Sequence, residues 1–209
     1  GGGYGGAGAK AAGGWGQPYG DSNAPTMPGS AGGSESGLGN SGGSGGGLIW
    51  IESAASILLD GSLAANGGAT GGWNGDGGGS GGGVFLTAPT FSGNGVITAN
   101  GSNGGGISGG GGGGGRIALL YGISDVFLGT LSVNGGIGGG GTGQIGSIVR
   151  EPSGPGYLLM VAGHPSKYGS PTPYGYGAHI VSEDAWVTNT VGSPADEAAG
   201  QRWACVGFV

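Results

Sequence analysis

The sequence predicts an all-β chain: a glycine-rich β-solenoid, parallel β-helix-like, with polyglycine excursions of polyproline II type and a short β-rich C-terminal cap. Three observations carry this expectation. Glycine supplies 64 of the 209 residues, several-fold above its usual share, and only 8% of residues are charged. Compact apolar runs such as Leu48-Ile49-Trp50-Ile51 recur between the glycine clusters. A heptapeptide returns twice at intervals of 34 residues: Gly61-Ser-Leu-Ala-Ala-Asn-Gly67, Gly95-Val-Ile-Thr-Ala-Asn-Gly101 and Gly129-Thr-Leu-Ser-Val-Asn-Gly135.

The glycines fall in uneven clusters such as Gly109 to Gly115 and there are only ten prolines, which excludes the strict triplet of collagen. A disordered polymer would be more charged and would lack the apolar runs, which demand burial. With a net charge of −6 and only five Lys and Arg, the chain has no basic footprint for nucleic acid or anionic membranes. No stretch is long and apolar enough for a membrane span. Cys205 alone makes no intramolecular disulfide, and it reads as a small buried hydrophobe or a cross-link to another chain. The sequence opens on Gly1, without an initiator methionine or signal peptide, and so reads as a processed chain or a piece of a longer one.

Within each heptapeptide the third and fifth positions are apolar (Leu63/Ala65, Ile97/Ala99, Leu131/Val133), and their neighbours are mostly small or hydroxylated. That period of two predicts a strand. Each strand ends at Asn-Gly, residue types that tolerate positive φ and redirect the chain. Upstream, a glycine cluster runs into a second strand: Leu48-Ile49-Trp50-Ile51, Val84-Phe85-Leu86-Thr87 and Ile117-Ala118-Leu119-Leu120, with a fourth beginning at Gly146-Ser147-Ile148-Val149. One repeat is therefore a strand, a short connection, a second strand ending in Asn-Gly, and a glycine-rich excursion. Stacking such units aligns Leu63, Ile97 and Leu131 in one interior column. A one-strand-per-turn arrangement or a two-sheet sandwich uses the same pattern. The upstream strand is apolar on both faces, so its outer face is expected to be covered by the glycine excursions or by a neighbouring subunit. Polyglycine packs as polyproline II-like strands because no side chain separates the backbones.

Three regions follow: residues 1–41, a Gly/Ala/Ser-rich N-terminal arm; residues 42–150, the repeats; and residues 151–209, a β-rich C-terminal cap or assembly module. The arm lacks periodicity and needs another surface to be ordered, as an arm exchanged between subunits would find. The C-terminal region breaks into short apolar runs punctuated by proline from Pro152 onward. It suits capping, because a bare last rung exposes unpaired strand edges.

The segment Gly-Gly-Gly-Arg-Ile-Ala-Leu at 113–119, followed by Gly-Thr-Leu-Ser-Val-Asn-Gly-Gly at 129–136, resembles glycine-rich β repeats of large secreted and cell-surface proteins of bacteria and protists. The resemblance covers about residues 42 to 150 and implies a structural or adhesive role outside the cell, with no catalytic residue to carry over. The expected function is a non-catalytic extracellular structural protein, a protomer of a fibre, filament or surface layer that associates with itself through its terminal segments. The alternative is an adhesin or carbohydrate-binding appendage, with Tyr168, Tyr174, Tyr176 and Trp186 as an interface or a platform for glycan stacking.

Catalytic signatures dissolve on inspection. Gly42-Gly43-Ser44-Gly45-Gly46 and Gly78-Gly79-Ser80-Gly81-Gly82 satisfy the form of a hydrolase elbow only through glycine saturation, and no helix follows them. Gly71-Gly-Trp-Asn-Gly-Asp76 is a solitary approximation to a calcium-binding turn. No metal or cofactor is expected. The outward ladders are too irregular for an ice-ordering threonine array, and Asp60 and Asp125 occupy different repeat positions, which argues against a glycosidase pair. Asn100-Gly101-Ser102 fits the N-glycosylation sequon, so Asn100 is a candidate modification site.

Overall fold

The computed structural model describes residues 1–9, 14–34, 41–71, 75–152, 157–161, 171–181, 187–190, 195–198 and 201–203. These contain no helix. The chain divides into two compact units, Gly1–Glu151 and Pro152–Val209.

The first unit is a β-solenoid of three turns. Strands β1 (Leu48–Glu52), β2 (Ser56–Leu58), β4 (Gly83–Ser92), β6 (Arg116–Asp125) and β8 (Ser147–Pro152) form one parallel sheet, in which β1 and β2 both lie along β4. Strands β3 (Ser62–Ala64), β5 (Val96–Thr98) and β7 (Thr130–Ser132) form a second parallel sheet. Its register, Leu63 to Ile97 to Leu131, is the 34-residue repeat read in space. The core lies between the sheets: Val84, Leu86, Phe91, Ile97, Ala99, Ile117, Leu119, Phe127 and Val133 are all buried. Inward positions alternate with outward ones, as a pleated strand requires.

The connection expected between the two strands of a repeat is shorter than the sequence suggested. Strands β4 and β6 run for ten residues each, so the apolar tetrads are only their first halves. Pro89 falls inside β4, where the register between β4 and β6 shifts from Ala88 to Thr90, and an irregularity of this kind accommodates a residue that cannot donate to the ladder. The corner that follows turns at Gly93, with φ of 108°.

The excursions form a packed layer of glycine backbones. The Gly78 and Gly81 N–H groups donate to the Gly110 and Gly113 carbonyls, and those of Gly77 and Ser80 donate to Gly33 and Ser30. Gly111 and Gly114 donate to Gly141 and Gln144, while Gly112 and Gly115 donate to Ser102 and Ala99. Donors three residues apart thus return to the same neighbour, and successive donors point to different ones. A period of three, where a strand has two, is that of polyproline II. Such backbones carry no hydrogen bonds of their own, and here neighbouring segments supply them.

The N-terminal residues join this layer on their own chain, and need no exchange between subunits to find a surface. Gly2 donates to Gly78 and accepts from Gly113, Gly5 and Gly6 donate to Gly114, and Ala9 donates to Gly111. The same segment covers the outer face of the large sheet, a role expected of the excursions or of a neighbouring subunit. Tyr4 and Pro25 are fully buried, as is the outward-facing Ala118, and Phe85 is nearly so.

In the second unit, β9 (Tyr157–Val161) pairs antiparallel with β10 (Gly177–Val181), and β11 (Ala195–Ala198) with β12 (Gln201–Trp203).

Candidate functional site

The Asn-Gly corners build a side-chain ladder along the solenoid. Asn66 Oδ1 accepts the Asn100 N–H at 2.8 Å, and Asn100 Oδ1 accepts the Asn134 N–H at 2.7 Å. Asn100 Oδ1 also accepts the Ser132 hydroxyl at 2.7 Å. Three further cross-rung bonds share the 34-residue step: Asp60 Oδ1 accepts the Asn94 N–H, Asn103 Oδ1 accepts the Ile137 N–H, and the Ser102 hydroxyl donates to the Gly68 carbonyl. The sequence showed asparagine at these corners as a turn former. Its recurrence at one repeat position was the available signal for a ladder, because identical polar residues stacked in register can satisfy the next rung's backbone.

The candidate sequon lies within this framework. Asn100 is half-buried, and its partner Ser102 accepts the Gly79 N–H and donates to the Gly68 carbonyl. Both residues are engaged in joining rungs.

Two arginines fix the large sheet, and neither was singled out by the sequence reading. Arg116 is 9% exposed. It donates to the Tyr19 and Tyr4 carbonyls and to Ser147 Oγ, and its guanidinium lies 5.4 Å from the centre of the Tyr4 ring. It therefore clamps the N-terminal cover onto β6 and reaches β8, and carbonyl oxygens compensate its buried charge. Burial raises the Tyr4 hydroxyl pKa, against the opposing pull of the Met27 backbone and Arg116, and burial also raises that of Tyr19. Arg150 on β8 meets Asp125 at 2.6 Å and donates to the Phe127 carbonyl, while Asp125 accepts the Phe127 N–H. The bond from Asp125 holds the Arg150 cation above its ordinary pKa. Asp60 and Asp125 each serve a separate structural bond.

The first rung differs from those that follow. Ile49, Ile51, Ile57 and Leu63 face Val84, Leu86, Phe91 and Ile97 in register. The second-rung residues are 0 to 3% exposed. Ile51 is 37% exposed, and Ile49, Ile57 and Leu63 are only half-buried. The core is thus open at this end, beside the outer-facing Trp50, which is 52% exposed and meets Phe85 edge-on.

The aromatic platform proposed for glycans is described only in part, because Tyr168 and Trp186 lie outside the described residues, as do Cys205 and Trp73. Tyr174 and Tyr176 are half-buried. Tyr174 is fixed by a reciprocal pair of bonds with Asn189: its N–H donates to Asn189 Oδ1, and Asn189 Nδ2 donates back to its carbonyl. Its ring lies edge-on to His179, whose Nε2 is 2.7 Å from the Gly175 carbonyl. Among the described residues no cluster of His, Cys, Asp and Glu is placed to hold a metal ion, and no helix is long and apolar enough to cross a membrane.

No family model matches the chain, and neither a curated protein nor a solved structure does.

Proposed function

We propose that this chain is a non-catalytic extracellular structural protein, a protomer that associates with itself into a fibre, filament or surface layer. The open first rung carries this reading. Four inward positions that are buried in the second rung are partly exposed in the first, next to β1 and β3, which among the described residues are edge strands of their sheets. Such an edge is a template for pairing with another chain, and apolar side chains at the end of a core add a driving force proportional to the area covered. The polar, low-charge glycine layer supplies stiffness through backbone bonds, which suits a durable external material. The resemblance to secreted glycine-rich repeats supports the same location.

The test is electron microscopy and sedimentation across a concentration series, with Ile51→Glu beside the parent chain. The parent is expected to associate as concentration rises, and Ile51→Glu to remain dispersed while keeping its β spectrum. Short rods that never associate at any concentration would sink the reading, and saturable glycan binding would then support an adhesin.

A further inference from the structure

Asn-Gly sequences are chemically labile. The glycine nitrogen attacks the asparagine Cγ and ammonia leaves, carrying the side-chain nitrogen. Water then opens the cyclic imide to aspartate or isoaspartate. The step requires the glycine N–H to lose its proton and its nitrogen to reach Cγ, so a hydrogen bond holding that N–H opposes it.

The described residues contain five asparagines followed by glycine: Asn66, Asn94, Asn100, Asn103 and Asn134. Four of the following N–H groups are held in the fold. Gly67 donates to the Asn100 carbonyl at 2.8 Å, Gly95 to Leu59 at 2.8 Å, Gly101 to Asn134 at 2.8 Å and Gly104 to Ile137 at 2.9 Å. The Gly135 N–H donates to no group among the described residues. The reason is topological: Gly67 and Gly101 each donate to the next rung of the small sheet, and among the described residues that sheet ends at β7.

The side chains divide in part the same way. The amide oxygens of Asn66, Asn100 and Asn103 each accept a backbone N–H from the following rung. Asn134 is exposed and accepts no such bond among the described residues, although its Nδ2 donates to Ser132 Oγ at 3.1 Å. Asn94, exposed like Asn134, accepts no such bond among the described residues either and is set apart only by the held Gly95 N–H.

We infer that Asn134 is a site of spontaneous deamidation, selected from chemically equivalent Asn-Gly pairs by the open end of the small sheet. Conversion adds a carboxylate there. In isoaspartate the main chain runs through Cβ and Cγ, and the Asn134 carbonyl that accepts the Gly101 N–H becomes the free carboxylate, so the last rung would loosen as the protein ages.

The test is incubation of the intact chain at mildly alkaline pH, with peptide mapping that resolves isoaspartate at each asparagine. In the folded protein Asn134 is expected to react at least about tenfold faster than Asn66 and Asn100, the factor of one broken backbone hydrogen bond at about 1.4 kcal/mol. In concentrated urea the three rates should converge, since each precedes glycine. The acidic species on isoelectric focusing should diminish in Asn134→Gln and be unchanged in Asn66→Gln. Equal rates at Asn134, Asn66 and Asn100 in the folded chain would overturn the inference, as would an acidic species undiminished in Asn134→Gln.

Discussion

Gly114 shows what the glycine layer demands of a single residue. Its N–H donates to Gln144, and a Cβ added to it would fall inside contact distance of the Val133 carbonyl oxygen and the Gly146 nitrogen. Those atoms belong to backbone that is itself held, since Gly146 donates to the Val133 carbonyl, so no flexible side chain can move aside. Gly114→Ala should therefore cost about 3 kcal/mol, at the upper end of ordinary overpacking. Gly61 is the control. A Cβ there meets nothing within 4 Å, and its φ lies outside the left-handed region. Gly61→Ala should be neutral or stabilise by about 0.4–1 kcal/mol through the unfolded chain. Urea unfolding of the two variants measures the difference, and equal midpoints would mean the layer is not packed as described. Composition made the need for glycine legible, but not the partner of each run, because a residue without a side chain leaves no mark of what it touches.

At the scale of elements, the asparagine ladder adds side-chain bonds between strands of three residues each, beyond the backbone bonds that continue into their Asn-Gly corners. Asn100→Ala removes the acceptor for both the Asn134 N–H and the Ser132 hydroxyl, and should destabilise by about 1–3 kcal/mol. Asn134→Ala removes no such acceptor and should stay within about 0.5 kcal/mol. Thermal unfolding of the pair separates a ladder from a set of independent turns. The columns Leu63/Ile97/Leu131 and Ala65/Ala99/Val133 were legible in the sequence because alternation and a fixed step each specify a face. The length of β4 and β6 was not. Pro89 interrupts the apolar pattern of β4, and the polar Tyr121 to Asp125 half of β6 faces only partial burial, so neither stretch reads as a continuation. Arg116 and Arg150 also escaped notice, since an isolated arginine gives no periodic signal and its partners, Tyr4, Tyr19 and Asp125, are distant or unpatterned in sequence.

Across the whole first unit, the N-terminal segment is attached at two places of different chemistry. Gly2, Gly5, Gly6 and Ala9 are bonded into the glycine layer, while the Tyr4 ring lies against Arg116 and packs on the Tyr19 ring, with ring centres 5.0 Å apart. The first attachment contains nothing that titrates in its backbone bonds. The second depends on neutral phenols, because burial raises both hydroxyls above their ordinary pKa. A raised pKa in the folded state means that the contribution is fully present below the unfolded value, near pH 10. It is lost as pH climbs through the folded value. The cover over β4 and β6 should therefore loosen under alkaline conditions before the solenoid core does. Limited proteolysis should show cleavage within residues 1–34 accelerating above about pH 10, while the β spectrum of the remainder persists. Tyr4→Phe keeps the ring over Arg116 and removes the proton, so its acceleration should begin at higher pH than in the parent chain. Identical profiles for the two would place the alkaline sensitivity elsewhere, and simultaneous loss of the β signal with the first cleavage would show that cover and core unfold as one.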